Sequence, residues 1–525
     1  MKIFYKTTAT ATGGRSGTSA LNDGSFSVQM VRPDSGEPGV NPEQLFALGY
    51  AACFDSAMGL TAKQLKLDAT GSKTTIEVGI GQRAEGGYGL IWTSPFICRA
   101  WPPTTRSVLS KRHIRSAPTP TLHVATSTCA YTLKPKRPEP MNNFDFRNPT
   151  RILFGKGRIA DLKDQVPEDA KVLIVYGGGS AERTGVLVQV REALAGRTLV
   201  EFGGVEPNPR FETALKAVEL IGQEDITFLL AVGGGSVIDA TKFIAAAALY
   251  DGDAWDILTS HGSVVTGAMP FGTVLTLPAT GSEMNPASVI TNSEKGAKLP
   301  FMSAHCYPVF SVLDPEVTFS LPPRQIANGV ADAFVHIIEQ YLTYPSAARV
   351  QDGFAETLLR TLIELGPQAI ETPDDYDIRA NLVWTATLAL NGLIGAGVPQ
   401  DWASHMIGHE ITALNDTDHA RTLAVVLPAL MNDQRGPKRE KLLQYAANVW
   451  DIREGSEDDQ IDAAIDATRG FFEAMGIKTR LGDYDVAAPE IDRIIISLKD
   501  HGLTALGEHS AITTDDTRRI LEAAL

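Results

Sequence analysis

The chain has 525 residues, 43% hydrophobic and 21% charged, which is long enough for three or four globular domains. Its net charge of -15 excludes a duplex-binding protein, which needs an excess of positive charge. The sequence has neither a run of about 18 apolar residues nor the apolar core of a secretion signal at its start. We therefore expect a cytoplasmic protein with no nucleic-acid or membrane partner. The four cysteines, which are Cys53, Cys98, Cys129 and Cys306, lack the CxxC spacing of a thiolate zinc site.

The composition changes near residue 140. Residues 1–140 carry 16 Lys and Arg against 9 Asp and Glu, whereas residues 141–525 carry 31 against 53. Residues 91–140 are basic, rich in Pro, Ser and Thr, and show neither strand nor helix periodicity. The pattern predicts four segments, which are a first unit at 1–90, a disordered linker at 91–140, and domains at 141–318 and 319–525.

The first segment contains the stretches TATATGGRSG (8–17) and NPEQLFALGYAACFDSAM (41–58). They resemble the opening part of organic hydroperoxide resistance proteins, which are thiol peroxidases of OsmC-like α+β fold. The resemblance implies that Cys53 is the peroxidatic thiol, that Arg15 lowers its pKa, and that Glu43 orients Arg15. Without the resemblance, a lone Cys in an apolar run is more often an inert core residue than a reactive one. The family's resolving Cys is missing, so we expect an incomplete segment that is inactive as a peroxidase.

A single-base reading-frame slip soon after Gly89 explains the missing part. Codons for SAPTPTLHVATSTCA (116–130), read one nucleotide earlier, can encode Cys-Pro-Tyr-Ser-Asn followed by Ala-Thr-Arg-Gly-Asn-Ile-Asp-Val-Arg. This is the kind of motif that carries the resolving Cys in that family, and Cys129 then arises from the wrong frame. Sequencing the gene tests the hypothesis, which fails if no shift restores the motif.

Two apolar runs in residues 141–318 end in the same glycine turn. They are KVLIVYGGGS (171–180) and TFLLAVGGGSVIDATKFIAAAALY (227–250), and TLPATGSE (276–283) follows. A buried parallel strand, a glycine turn and a helix N-terminus form a phosphate site, because free N–H groups and the helix dipole face the anion. Glycine used only for tight packing is the alternative for either turn alone. The end of the first strand carries Gly179 and Ser180 instead of a carboxylate, which favours NADP over NAD.

Residues 319–525 show a mostly helical pattern with two histidine clusters. In GVADAFVHIIEQYL, Asp332 and His336 are four residues apart, so both leave one face of a helix. His405 and His409 repeat this spacing, and His419 follows. A single helical His is more often a packed or surface residue, but a carboxylate with several imidazoles suits a divalent metal such as Fe²⁺ or Zn²⁺.

Residues 141–525 resemble the iron-containing (group III) alcohol dehydrogenases, in particular the NADPH-dependent aldehyde reductases related to butanol dehydrogenases. The motifs LLAVGGGSV, LTLPATGSE, LPPRQ, ALNGLIGAGVPQDWA and GHE carry the resemblance. It implies an α/β dinucleotide-binding domain followed by an all-α metal-binding domain, the dehydroquinate synthase-like architecture. It also implies a homodimer. Asp418-His419-Ala420 departs from the Pro-His-Gly of many members.

The resemblance assigns roles to individual residues. Asp332, His336, His405 and His419 are the expected metal ligands, and His409 is a nearby catalytic residue that relays a proton. The expected NADP(H) contacts are Gly178, Gly179, Ser180, Gly234, Gly235, Ser236, Asp239, Thr276, Thr280, Ser282 and Lys298.

The expected reaction is the reversible reduction of an aldehyde to a primary alcohol by NADPH, with the metal as Lewis acid on the carbonyl oxygen. Two alternatives stay open. One is a thiol peroxidase that acts through Cys53 with the C-terminal part as passenger, and the other is a non-catalytic, cofactor-binding interaction protein. The missing resolving Cys argues against the first, and the retained set of four ligands argues against the second.

Overall fold

The computed structural model describes residues 5–33, 35–64, 73–82, 88–93, 96–97, 139–415 and 417–525. The chain divides into two compact units, Met1–Leu133 and Lys134–Leu525. Most of the linker predicted at 91–140 lies outside the described residues, as does the stretch 116–130 that carries the proposed frame slip. The four-segment division and the frame slip therefore stay predictions.

The described residues of the first unit form short antiparallel strands and one long helix. Its elements are β1 (Ala9–Thr12), β2 (Thr18–Leu21), β3 (Ser27–Gln29), α1 (Pro42–Gln64), β4 (Lys73–Thr74), β5 (Glu77–Gln82), β6 (Tyr88–Thr93) and β7 (Phe96–Ile97). Strands β1, β2 and β3 form one sheet in that order, and β5 pairs with β6. The OsmC-like fold expected for this unit stays a prediction.

The second unit opens with alternating strands and helices. They are β8 (Arg151–Phe154), α2 (Leu162–Gln165), β9 (Lys171–Gly177), α3 (Ser180–Arg183), α4 (Val186–Ala193), β10 (Thr198–Val205), α5 (Phe211–Gln223), β11 (Phe228–Gly234), α6 (Gly235–Ala247), α7 (Trp255–Thr259), β12 (Phe271–Leu277), β13 (Ala287–Asn292), β14 (Ala297–Met302) and β15 (Phe310–Leu313). Six strands form a parallel sheet in the order β10-β9-β11-β12-β15-β8. Strands β13 and β14 form a separate hairpin.

The central strands are apolar along their whole length because helices cover both faces of the sheet. Strand β11 is buried from Phe228 to Gly233, and β9 is buried from Val172 to Val175. A parallel strand between two helical layers needs apolar side chains on both faces, which explains the continuous runs in the sequence. Helices α5 and α6 pack on one face, and α2 and α4 pack on the other.

The rest of the unit is mainly helical. Its elements are α8 (Pro323–Tyr341), α9 (Arg349–Glu371), α10 (Tyr376–Ala389), α11 (Ala403–Asn415), α12 (His419–Asp433), α13 (Arg439–Val449), α14 (Glu457–Ala474), α15 (Ala488–Asp500), β16 (Ala505–Leu506), β17 (Ile512–Thr513) and α16 (Thr514–Ala523). Helix α8 begins with Pro323 because a proline at the first helical position loses no hydrogen bond. Every residue from 326 to 341 is buried, so α8 is the central helix of this half.

The α/β half followed by a helical half is the architecture predicted for residues 141–525. The sequence also indicated few strands after residue 319, and the structure has only the two-residue pair β16 and β17 among the described residues there. None of the helices in the described part of the chain is both long and apolar enough to span a membrane.

Candidate metal and cofactor site

Three helices bring the predicted metal ligands together. Asp332 and His336 leave the same face of α8, one turn apart, and both are buried. His405 lies in the first turn of α11, and His419 is the first residue of α12. The Nε2 atoms of His336, His405 and His419 lie 3.9, 3.9 and 3.7 Å from Asp332 Oδ1.

The tightest part of this cluster is formed by Asp332, His336 and His405, whose ligand atoms all lie within 4.8 Å of one another. His419 is less enclosed, since 22% of its side chain is exposed, and it approaches the group through Asp332. The rings of His405 and His419 have centroids 5.2 Å apart. The structure therefore gathers all four predicted ligands, with His419 at the open side.

The donor set fits a divalent cation. Asp332 Oδ1 and His405 Nε2 are buried and have no hydrogen-bond partner among the described residues. Burying an acceptor without a hydrogen bond lowers the stability of the folded protein, and a cation bound between these two atoms would interact with both. One carboxylate and three imidazoles, without a thiolate, suit Zn²⁺ or Fe²⁺.

Burial keeps these histidines neutral. It lowers the pKa of His336 and of His405 from 6.5 to about 4. The pKa of His409 and that of His419 lie well below the ordinary value, first because of burial and then because of the positive charge of Lys298. A neutral imidazole carries a free lone pair at neutral pH, which metal binding requires.

His409, the predicted proton relay, lies beside the ligand cluster. It is buried one turn after His405 on α11, and its ring centroid is 4.9 Å from that of His419. Its place next to the ligands is compatible with proton transfer, and its role stays a prediction.

The predicted cofactor turns lie at the carboxyl edge of the sheet. Gly178, Gly179 and Ser180 join β9 to α3, and Gly179 has a φ of 93°, which favours glycine. The second turn has Gly234, Gly235 and Ser236 at the start of α6. Neighbouring parallel strands end at the same edge, so both turns face one crevice.

Close backbone approach explains the glycine at the second turn. A Cβ on Gly235 would lie 2.5 Å from Thr280 Oγ1, so only glycine leaves room for the Thr280 side chain. Thr276 lies at the end of β12, the strand that pairs with β11. Thr276, Thr280 and Gly235 thus belong to one edge, as the cofactor prediction requires.

Asp239 and Ser282 have partners inside the protein. Ser282 Oγ donates to Asp239 Oδ1 (2.6 Å), and Asp239 Oδ2 accepts from the backbone N–H of Val289 (2.9 Å). Lys242 Nζ donates to Ser282 Oγ (2.7 Å) and Asn285 Oδ1 (3.0 Å). These bonds hold the loop after β12 against α6, and a direct cofactor contact of Asp239 or Ser282 stays a prediction.

Lys298 is a positive charge near the predicted metal ligands. It is on β14, which packs against α11, and its Nζ donates to Asn208 Oδ1 (2.9 Å). Its charge lowers the pKa of three site histidines, which are His405, His409 and His419. A cation in this position can face both the cofactor and the metal ligands.

Two family profiles match this chain. Iron-containing alcohol dehydrogenase covers residues 149–315, and the Fe-containing alcohol dehydrogenase family C-terminal domain covers residues 326–525. The chain belongs to the iron-containing alcohol dehydrogenase family. The resemblance inferred from the sequence of residues 141–525 is thereby confirmed.

Several relatives match over their whole length. The NADPH-dependent aldehyde reductase YqhD of Escherichia coli K12 is 60% identical over 386 residues, which are 73% of this chain and 100% of that protein. A probable NADH-dependent butanol dehydrogenase 1 of Bacillus subtilis is 43% identical over 390 residues, again 73% and 100%. A crystal structure of E. coli YqhD matches with a TM-score of 0.73 and 59% identity over 74% of this chain and 100% of that one.

The sequence reasoning missed three residues that surround the site. Glu339 contacts His405, Arg183 lies beside Gly179, and Trp402 packs on the rings of His336 and His405. Glu339 follows His336 by three residues, a spacing that places it near the same helix face. The sequence pattern does not indicate Trp402, because this residue lies in the loop before α11 and not in a periodic element. Its φ there is 61°.

Proposed function

We propose that residues 141–525 reduce aldehydes to primary alcohols with NADPH, in a reversible reaction that depends on one divalent metal. The main supporting observation is the convergence of Asp332, His336, His405 and His419, in which Asp332 Oδ1 and His405 Nε2 are buried without a hydrogen-bond partner among the described residues. The glycine turns of the sheet edge and the names of the relatives support the nicotinamide cofactor and the aldehyde substrate.

The balanced reaction is R–CHO + NADPH + H⁺ giving R–CH₂OH + NADP⁺. Bound at the four ligands, Zn²⁺ or Fe²⁺ supplies a Lewis acid for the carbonyl oxygen. The protein's own residues do the rest: the glycine turns bind the cofactor phosphates, and Lys298 adds positive charge between cofactor and histidines. His409 moves the proton to the product oxygen, directly or through water.

The preference for NADPH rests on the end of β9. No acidic side chain stands at Gly179 or Ser180, so a 2′-phosphate meets no repulsion there. The Arg183 guanidinium is near the same turn, since a Cβ on Gly179 would lie 3.3 Å from Arg183 Nη1. A guanidinium binds phosphate with charge-assisted hydrogen bonds.

One experiment tests the function as a whole. The purified full-length chain is assayed for bound metal and for oxidation of NADPH and NADH with butanal, methylglyoxal and a dialdehyde. We expect about one Zn²⁺ or Fe²⁺ per chain, a higher kcat/KM with NADPH than with NADH, and loss of activity after chelation. A metal-free protein that keeps its activity refutes the Lewis-acid role.

We also propose a homodimer located in the cytoplasm. Sedimentation of the purified chain tests the first statement, and cell fractionation tests the second. The non-catalytic alternative predicts cofactor binding without aldehyde turnover, which the same kinetic assay distinguishes.

The thiol peroxidase alternative has one supporting contact. Arg15 Nη2 and Glu43 Oε1 form an ion pair of 2.5 Å, and Arg15 Nη1 lies 3.0 Å from Glu43 Oε2. The Cys53 thiol is free and exposed. The pair is the one expected from the resemblance of the first unit, and peroxidase activity stays a prediction.

A further inference from the structure

Glu339 is a buried carboxylate that holds one metal ligand in two places. It lies on α8, three residues after His336, and is only 3% exposed. Its Oε1 accepts the backbone N–H of His405 at 3.1 Å, and its Oε2 is in hydrogen-bond contact with His405 Nδ1. Both the start of α11 and the imidazole plane of His405 are therefore tied to α8.

The contact decides which nitrogen of His405 faces the ligand cluster. Glu339 Oε2 contacts Nδ1, and Nε2 lies on the other side of the ring, 3.9 Å from Asp332 Oδ1. Nε2 is buried and has no hydrogen-bond partner among the described residues. A cation bound at Nε2 needs the lone pair of that nitrogen, which places the ring proton at Nδ1, beside Glu339.

The other two histidine ligands have no such support. His336 Nδ1 and His419 Nδ1 are buried, and no described residue forms a hydrogen bond with either of them. Among the three imidazole ligands, His405 alone is oriented by a carboxylate in the described part of the chain. His405 thus differs from His336 and His419 by the carboxyl group at its Nδ1, and replacing that group tests its contribution to metal affinity.

A buried ion cluster anchors the segment that leads into α11, the helix that carries His405. The backbone N–H of Asp401 donates to the carbonyl of Glu339 (2.8 Å), and Asp401 Oδ1 accepts from the N–H of Ala403 at the start of α11 (2.8 Å). Lys438 Nζ forms an ion pair with Asp401 and another with Glu508 (2.9 Å). Lys438, Asp401 and Glu508 are each at least nine-tenths buried at the side chain, so this anchor is shielded from solvent.

We propose that Glu339 is a positioning residue of the metal site, which fixes the ring plane of His405 and turns its Nε2 toward the ligand cluster. A carboxylate on the far nitrogen of a ligating histidine raises its basicity and pre-orients it, and its loss weakens metal binding about 10–100-fold. The inference rests on the proposed metal function, and it concerns a group that touches neither substrate nor cofactor.

The test measures Zn²⁺ affinity of the full-length chain by competition with a chromogenic chelator. Glu339→Gln keeps the size and replaces the carboxyl group that contacts His405 Nδ1 by an amide, so we expect Zn²⁺ affinity to fall about 10–100-fold. The Co²⁺-loaded variant is expected to show altered d–d absorption, because the His405 ring is no longer fixed. If Glu339 has only a packing role, the variant loses thermal stability but keeps its Zn²⁺ affinity and its Co²⁺ d–d absorption.

Glu356→Gln is the matched control. Glu356 is also a buried carboxylate of the helical half, and its Oε1 accepts hydrogen bonds from Tyr341, Gln444 and Asn448. It contacts none of the histidines in these bonds, so its variant is expected to keep wild-type Zn²⁺ affinity. Equal Zn²⁺ affinities for wild type, Glu339→Gln and Glu356→Gln overturn the proposal, and so does an equal decrease in both variants.

Failure of the proposed function looks different from failure of this inference. A wild-type chain that binds no Zn²⁺ contradicts the metal function, whereas a wild-type chain that binds Zn²⁺ as tightly as Glu339→Gln contradicts only the role of Glu339. If Glu339→Gln does not fold, Glu339→Asp is measured in the same way. This shorter carboxylate keeps the charge and withdraws the oxygen from Nδ1, and unchanged Zn²⁺ affinity in it also overturns the proposal.

Discussion

At the scale of single residues, Asp418 connects two helices that carry predicted metal ligands. It precedes His419, at the position where the family resemblance leads us to expect Pro. Its Oδ2 accepts from Arg324 Nε (2.9 Å) and Asn328 Nδ2 (2.8 Å), both on α8. The carboxylate therefore joins the start of α12 to the helix that carries Asp332.

We expect Asp418→Ala to loosen His419 without abolishing the site. Arg324 is largely exposed, so the lost contacts are worth about 0.5–1.5 kcal/mol, and Zn²⁺ affinity should fall by up to about tenfold. Chelator competition and thermal unfolding measure the two effects. Asp492→Ala, which removes an exposed ion pair with Arg518, serves as control and should change neither. An unaltered Zn²⁺ affinity in Asp418→Ala contradicts the anchor.

Arg183 is expected to select the cofactor. Its side chain is exposed, no described residue pairs with its guanidinium, and it lies beside Gly179. Arg183→Ala should raise KM for NADPH about tenfold and leave KM for NADH nearly unchanged, because only NADPH carries the 2′-phosphate. Steady-state kinetics with both cofactors measure this. Arg191, which Glu182 and Glu201 already engage, is the control, and Arg191→Gln should not change the ratio of the two KM values. An equal loss with both cofactors argues against a phosphate contact.

At the scale of elements, the important contact is that between α8 and the end of the sheet. Gly329 on α8 lies against the loop after β12, and a Cβ there would be 2.3 Å from the carbonyl oxygen of Pro278. The missing side chain lets the ligand-bearing helix approach the strand edge that carries the predicted cofactor turns. The distance between Asp332 and the predicted cofactor crevice therefore depends on how closely α8 packs against this loop.

Gly329→Ala should therefore displace α8 from the sheet. The clash involves a backbone carbonyl that cannot rotate away, so we expect a loss of about 1–3 kcal/mol in the free energy of unfolding and a lower kcat. Urea unfolding and steady-state kinetics measure both. Gly353→Ala on α9 is the control, because a Cβ there meets no atom within 4 Å, and alanine should stabilise that helix by about 1 kcal/mol. Similar stability changes in the two variants contradict the packing argument.

Periodicity and spacing predicted the elements well and the contacts between elements less well. The apolar runs before the glycine turns are β9 and β11, and Asp332 and His336 share one face of α8 as the four-residue spacing requires. Glu339, 66 positions from His405, was missed because its partner comes from another helix. Local pattern carries no information on such long-range pairs, which arise only when α8 and α11 pack.

At the scale of the whole molecule, different observations support the assignments of the two units. The unit Lys134–Leu525 matches the profiles of the iron-containing alcohol dehydrogenase family and brings the predicted metal ligands together. The unit Met1–Leu133 has the Arg15–Glu43 ion pair and an exposed thiol at Cys53. The matched relatives extend over about 73% of the chain, and both family profiles match within the second unit, at residues 149–315 and 326–525.

We expect the full-length chain to consume no organic hydroperoxide beyond the level of its Cys53→Ser variant. A peroxidatic thiolate that becomes a sulfenic acid needs a second thiol to turn over, and the resolving motif is missing from the sequence. Consumption of cumene hydroperoxide is measured with thioredoxin, its reductase and NADPH, because a small dithiol could itself reduce the sulfenic acid in place of the missing thiol. NADPH-dependent butanal reduction by both proteins is the control, since Cys53 lies outside the reductase unit. Peroxide turnover that disappears in Cys53→Ser would restore the peroxidase as a second activity, whereas a loss of butanal reduction in that variant would couple the two units.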